Sequence, residues 1–380
     1  MSVILDEHRQ YLADAVRLDA YDRALSRVVH PGDVVVDLAC GTGILGLLAC
    51  RAGAARVYAI DNGGMIDIAR RLARANGVAD RITHLAGHSM RVSLPEPADV
   101  VVCDQLGHFG FEAGVVQVLR DARVRWLKPD GRLMPATVAL HVAGLEHAAL
   151  SGDVTFWSHP SAGFDLTPAQ SFAANSAYDA ALGAEGLLTP GARVITYDMH
   201  EDGPDTERGE VVLVVRRPGT LHGLAGWFVA ELAPGVRMTN APDAVPRINR
   251  RNMFLPIEAP MGVISGDALR VSVLVRAPDR LVNWSVEVVR NGRVLAACAQ
   301  STMKGLLLTR EEVAATRGDA VPVLDAWARA RRTVLDLCDG ARELHAIEAA
   351  TFERHPDLFR SSAAAATFVA EVIARSARRG

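Results

Sequence analysis

The chain of 380 residues reads as an α/β domain, then a β domain, then a small helical domain. Two patterns predict this. Short β-branched runs alternate with helical periodicity as far as residue 136, and short alternating strands bounded by turn dipeptides take over beyond it. Helical spacing returns from residue 309, so the expected boundaries are 1–136, 137–308 and 309–380. The length agrees, because single domains hold roughly 100–200 residues.

Residues 5–29 carry Leu12, Val16, Tyr21, Leu25 and Val28 at helical spacing, which predicts one amphipathic helix ending before Pro31-Gly32. Val34-Val35-Val36 is a strand, followed by a glycine turn and an apolar helix from Ile44 to Ala52 that stops at Gly53. The unit then repeats. Val57 to Ile60 is a strand ending on Asp61, and Met65 to Ala75 is a helix closed by Asn76-Gly77. Ile82 to Leu85 and Val100 to Cys103 add two strands, the second ending on Asp104. A helix over Val115 to Trp126 and a turn at Lys128-Pro129-Asp130-Gly131 complete the series. Such alternation predicts a mostly parallel, Rossmann-like sheet with helices on both faces.

After Pro135 the runs Val138 to Val142, Val211 to Val215, Leu269 to Val275 and Trp284 to Val289 predict a sandwich or barrel. Turns fall at Arg217-Pro218-Gly219 and Asn291-Gly292, and the alanine-rich stretch 167–188 predicts short inserted helices. In the last domain Pro322 suits the first turn of a helix running to Cys338, Asp339-Gly340 turns the chain, and Ser361-Ser362 cap a final helix. Three helices with a small wing are expected.

Composition narrows the class. Apolar residues make up 49% and the formal charge is −3, which supplies no electrostatic argument for a nucleic-acid or membrane partner. No apolar run approaches the ~20 residues of a membrane span and the start is charged, so a soluble, cytoplasmic protein is expected. The five cysteines are scattered without metal-ligand spacing, which predicts reduced thiols and no metal site. Lys128 and Lys304 are the only lysines, a bias that a GC-rich bacterial genome explains without invoking a partner.

Gly41-Thr42-Gly43-Ile44-Leu45-Gly46 matches the G-x-G-x-x-G turn, with Asp61 near the place of a ribose-binding acid. Alone, that turn admits a dinucleotide. Asp37 shifts the reading, since it would repel a pyrophosphate but suits the ammonium of a bound methionine moiety. Glycines allow close backbone approach, and Asp61 offers a fork for two ribose hydroxyls. The phrase Asp37-Leu38-Ala39-Cys40-Gly41-Thr42-Gly43 with its downstream acid resembles the cofactor loop of class I methyltransferases, which implies S-adenosylmethionine as cofactor.

The likeness extends to the protein arginine methyltransferase family, from the N-terminal helix through most of the β domain. His8, Leu12, Asp14, Arg17 and Tyr21 stand at the spacing of that family's first helix. The resemblance implies that Arg17 binds the cofactor carboxylate and that His8 closes over the cofactor. Ala39 replaces a usual glycine, and Met90 replaces an adenine-contacting glutamate, leaving Ser89 and Met90 as candidate contacts. The family's two catalytic glutamates share one loop after the fourth strand, where paired carboxylates draw guanidinium charge away from the attacking nitrogen. Here that loop runs from Asp104 to Glu112, one residue shorter, with Asp104 as the first acid. Losing a methylene withdraws the carboxylate by roughly 1.5 Å, which alters a bidentate clamp. His108 is a candidate general base for an ammonium, or a structural histidine. The family's threonine-histidine-tryptophan phrase is replaced by Ile248-Asn249-Arg250, and the insertion 167–188 stands where the family has its dimerisation arm, implying a homodimer.

The stretch Val334 to Arg342, with Ile347 and Phe352, resembles the small winged-helix (PqqD-like) domains that recognise precursor peptides of ribosomal natural products. Such domains take a leader segment as an added strand. A three-helix packing cap is the alternative. Together these readings point to methyl transfer onto a nitrogen of a peptide, an amine in preference to a guanidine. Arginine methylation, a small-molecule acceptor and a regulator without chemistry remain as other readings.

Overall fold

The computed structural model describes residues 3–307, 310–315, 318–321 and 323–376. The chain parts into two compact units, Met1–Leu306 and Leu307–Gly380. In the first, two helices replace the single one expected, α1 (Val3–Ala13) and α2 (Ala15–Val28). Asp14 makes the break, because its carboxylate accepts the Arg17 N–H and caps α2. Then follow β1 (Val34–Leu38), α3 (Ile44–Ala52), β2 (Arg56–Asp61), α4 (Met65–Ala75), β3 (Ile82–Ala86), β4 (Ala98–Cys103), α5 (Val115–Trp126) and β5 (Leu127–Met134). These strands form one sheet in the order β3-β2-β1-β4-β5, all parallel. The carboxyl ends of β1, β2 and β4 therefore lie side by side, and each ends at an acidic residue or one residue from it.

The expected turn at 128–131 lies inside β5. Ala98 pairs with Leu127 but Val100 pairs with Arg132, so these residues bulge out between two paired ends.

The β part comprises β6 (Thr137–Leu145), β7 (Tyr178–Ala180), β8 (Ala192–Asp198), β9 (Thr206–Val214), β10 (Gly219–Ala233), β11 (Val236–Thr239), β12 (Asn252–Val263), β13 (Ala268–Arg276), β14 (Leu281–Arg290) and β15 (Arg293–Ser301). The helices α6 (Ala148–Thr155) and α7 (Gln170–Ala174) interrupt it. It is not the closed barrel expected. One sheet runs β7-β12-β10-β6-β8 with β11 on β10, another runs β15-β14-β13-β9, and no ladder joins them among the described residues. At the seam the Val194 carbonyl of β8 stands where a Cβ of Gly209 in β9 would sit, a close approach of two strands that belong to different sheets. Trp284 of β14 bridges the sheets by donating its indole N–H to the Pro256 carbonyl of β12 at 2.7 Å. One continuous apolar core runs from Tyr21 and Val35 through Phe109 and Phe228 to Trp284.

The second unit holds α8 (Arg310–Ala315), α9 (Ala326–Leu337), α10 (Leu344–Arg354) and α11 (Ser362–Ser376). Val334, Leu337, Ile347, Val369 and Val372 form its core, beside an aromatic group of Trp327, Phe359 and Phe368. The wing expected here is not formed: the described residues of this unit contain no strand. Asp339-Gly340 instead closes a local turn in which the Asp339 carboxylate accepts the N–H groups of Ala341 and Arg342. Helix α9 starts at Ala326 with Asp325 as its cap, and Pro322 lies outside the described residues. No helix among the described residues is long and apolar enough to cross a membrane.

Candidate functional site

The loop leaving β1 passes through three left-handed residues, Ala39 at φ 54°, Gly41 at 52° and Gly43 at 75°. The His8 imidazole of α1 lies on Gly41, where an added Cβ would be 2.5 Å from its Cε1. Asp37 is fully buried at the end of β1; its Oδ2 accepts the Gly46 N–H at 2.8 Å, while Oδ1 has no partner. Burial, reinforced by the neighbouring Asp61 carboxylate, pushes its pKa up to about 7. Asp61, at the end of β2, accepts the N–H groups of Gly41 and Gly63 at 2.8 and 2.7 Å.

Of these, His8, Asp37, Ala39, Gly41 and Asp61 line a cleft of about 290 Å³ that also includes Tyr11, Arg17, Asp104 and Arg250, whereas Gly43 does not line it and faces Ala69. A smaller hollow of about 60 Å³ lies past Asp61 and is lined by Gly87, His88 and Ser89. Met90 lines neither, because its side chain is exposed to solvent. The cradle fits S-adenosylmethionine. A buried, unpartnered carboxylate oxygen on Asp37 suits an ammonium, and Asp61 retains lone pairs for hydroxyls.

Asp104 follows β4 directly and faces the same cleft. It forms an ion pair with Arg17 and accepts the Tyr21 hydroxyl at 2.8 Å. Arg17 also donates to the Tyr11 carbonyl at 3.2 Å, and its buried Nε has no partner. Arg17 thus joins the cofactor side of the cleft to the acid loop. Glu112 stands differently. Its Oε1 accepts the Phe109 N–H at 2.9 Å, its carboxyl occupies the space a Gly107 side chain would fill, and Oε2 is buried without a partner. Burial pushes its pKa up. It does not line the cleft, so the two acids are not joined as a clamp in this form.

His108 is held outside the cleft, with Nδ1 at 3.2 Å from the Arg251 carbonyl and Nε2 at 3.2 Å from Asp179. Both ring nitrogens are thus engaged outside the cleft. Asn240, fully buried, accepts the Phe228 N–H and donates to the carbonyls of His108 and Arg251, which clasps the acid loop to the β sheet.

Three contributors carry no motif in the sequence. Tyr11 lies one helical turn beyond His8, and Asn240 sits in a turn with no pattern around it. Arg250, where a family phrase is missing, reaches the cleft because the preceding Asn249 N–H is anchored on the Asp14 carboxylate at 2.6 Å. Tyr11 receives two guanidinium groups, Arg17 at 5.2 Å and Arg250 at 5.3 Å from its ring centroid.

The chain is similar to known methyltransferases. The sequence family described as ribosomal protein L11 methyltransferase (PrmA) matches residues 22–137. A probable protein arginine N-methyltransferase 6 of Arabidopsis thaliana is 30% identical over 238 residues, covering 60% of this chain and 54% of that protein. The chain thus spans about half the length of that relative. An arginine N(omega)-methyltransferase of Streptomyces achromogenes subsp. streptozoticus is 28% identical over 272 residues, covering 69% of this chain and 74% of the relative. A Trypanosoma brucei PRMT1 enzyme–prozyme heterotetrameric complex, solved with AdoHcy, superposes with a TM-score of 0.71 at 21% identity. That match covers 77% of this chain and 96% of the other, and it shows a shared fold.

Proposed function

We propose that this protein is an S-adenosylmethionine-dependent methyltransferase acting on a guanidino nitrogen of an arginine. The observation that carries the reading is the Asp104 carboxylate, delivered by the end of β4 into the cleft that Asp37 and Asp61 line. When bound, S-adenosylmethionine supplies an electrophilic methyl on a sulfonium centre. Asp37 holds its ammonium, Asp61 its ribose hydroxyls, and Arg17 and His8 close the methionine end. Asp104 takes one edge of the acceptor guanidinium and draws positive charge toward itself, which leaves lone-pair density on the nitrogen that attacks. Methylation of an already charged guanidinium requires loss of a proton. Glu112, with its pKa raised and one oxygen unpartnered, is the group suited to receive it.

A guanidine is favoured over the amine expected from the shortened first acid, because the Arabidopsis and Streptomyces relatives named above are arginine methyltransferases of protein-directed and arginine-directed description. The reading is tested by incubating the protein with S-adenosylmethionine and L-arginine or arginine peptides and scoring methyl gain by mass. Absence of gain on every guanidine sinks it. Asp104→Asn is expected to lower turnover by about 10²- to 10³-fold, the usual cost of removing a charge-stabilising group.

A peptide acceptor remains a second reading, supported by the separate helical unit with its half-exposed Trp327 beside Phe359 and Phe368. Protection of Trp327 fluorescence from a soluble quencher by a peptide substrate supports it. Homodimer formation through the insertion around α6 and α7 is the proposed assembly, and sedimentation at two protein concentrations tests it.

A further inference from the structure

The carboxylates of the cleft already have partners. Glu7 accepts the Tyr11 hydroxyl, Asp37 the Gly46 N–H, Asp61 two backbone N–H groups, and Asp104 is shared by Arg17 and Tyr21. Arg250 is different. Among the described residues no carboxylate pairs with its guanidinium, which lies over the Tyr11 ring at 5.3 Å from the centroid. It is half-buried, and the Asn249 anchor on Asp14 fixes its backbone. A second cation beside Arg17 repels a cationic acceptor unless that acceptor also brings negative charge.

We propose that Arg250 recognises a carboxylate on the methyl-accepting substrate, the α-carboxylate of a free amino acid, and thereby selects a small zwitterionic acceptor. The inference rests on the reading of this cleft as an acceptor site. The bounds on reach allow it. Both guanidinium carbons lie near one ring centroid, at 5.2 and 5.3 Å, so they are at most about 10.5 Å apart, and Arg17 touches Asp104. An extended arginine hydrogen-bonded at both ends spans on the order of 12 Å. Arg17 stands beside Asp37 on the cofactor side, whereas Arg250 comes from the β part, between β11 and β12. Arginine suits this task because its planar fork binds a carboxylate through two parallel bonds.

The test compares acid with amide. The full chain is assayed with L-arginine, L-argininamide, an arginine peptide with a glutamate neighbour and one without. L-Ornithine and ornithinamide are included, and binding is read by calorimetry alongside methyl transfer. Arginine is expected to be preferred over argininamide by about ten- to hundredfold in kcat/KM, through KM. Arg250→Ala is expected to abolish that preference and Arg250→Lys to restore part of it, with affinity for S-adenosylhomocysteine held. A preference for the acidic peptide over free arginine assigns the same carboxylate site to a peptide and overturns the free amino acid. Loss of S-adenosylhomocysteine affinity in Arg250→Ala, with the acid preference intact, assigns the guanidinium to the cofactor and overturns the proposal. Equal use and equal binding of acids and amides overturns it too, even if Arg250→Ala fails to fold. If no guanidine is methylated but ornithine binds more tightly than its amide, the guanidine reading fails and carboxylate recognition stands.

Discussion

At the scale of single residues, the buried acid at the end of β1 carries the clearest electrostatic consequence. Asp37 titrates near 7 when folded and near its ordinary 3.8 when unfolded, because burial penalises its charge. The folded state therefore binds more protons between those values, and stability falls as pH rises from about 4 to about 7. A cationic ligand group beside it reverses the preference and expels the proton. Cofactor binding at about pH 6 is thus expected to release protons, seen as a dependence of the calorimetric heat on buffer ionisation enthalpy; no buffer dependence would contradict this. Ala39 presents a backbone cost instead. Its φ of 54° strains an L-residue by roughly 1–2 kcal/mol, while glycine adds freedom to the unfolded chain worth roughly 0.5–1 kcal/mol. The first term is larger, so Ala39→Gly is expected to stabilise by about 0.5 kcal/mol in urea unfolding. Asp37, Asp61 and Asp104 were legible in the sequence because each sits at or next to the end of a β-branched run. Arg250 was legible only as a departure, since nothing local in Ile248-Asn249-Arg250 encodes an anchor on Asp14, far away in the chain.

At the scale of elements, Asp14 does two things with one carboxylate. It caps α2 through the Arg17 N–H at 3.1 Å and anchors the Asn249 N–H at 2.6 Å. Asp14→Ala removes both and is expected to cost about 2 kcal/mol, more than the ~1 kcal/mol typical of a cap alone, with Asp14→Asn recovering part of it in thermal unfolding. The break between α1 and α2 was hidden because the apolar spacing continues across it, and periodicity reports which face is buried, not where a cap interrupts the helix. The opposite occurs at Lys128-Pro129-Asp130-Gly131, where strong turn chemistry proved compatible with a bulge inside β5. The Asn291-Gly292 turn was readable because φ values of 51° and 77° are what its hairpin needs and what those residues tolerate.

At the scale of the whole first unit, parallel and antiparallel sheets share one core, and Trp284 hydrogen-bonds one β sheet to the other. Trp284→Phe removes the donor to the Pro256 carbonyl and part of the packing volume. A loss of about 2–3 kcal/mol is expected, and an unchanged denaturation midpoint would show that the sheets are held elsewhere. Strand existence was legible from alternation. Closure was not, because a barrel and two crossed sheets bury the same alternate side chains and differ only in edge pairing. The Asn240 clasp has a kinetic corollary. With the backbone around His108 tied through Asn240 to β10 and to Arg251 just before β12, and Phe109 and Phe111 fully enclosed, the acid loop is expected to resist swinging as a body. In the proposed reaction Glu112 would therefore have to reach the acceptor by turning about its own side-chain bonds within that packed loop, and not by the opening of a lid.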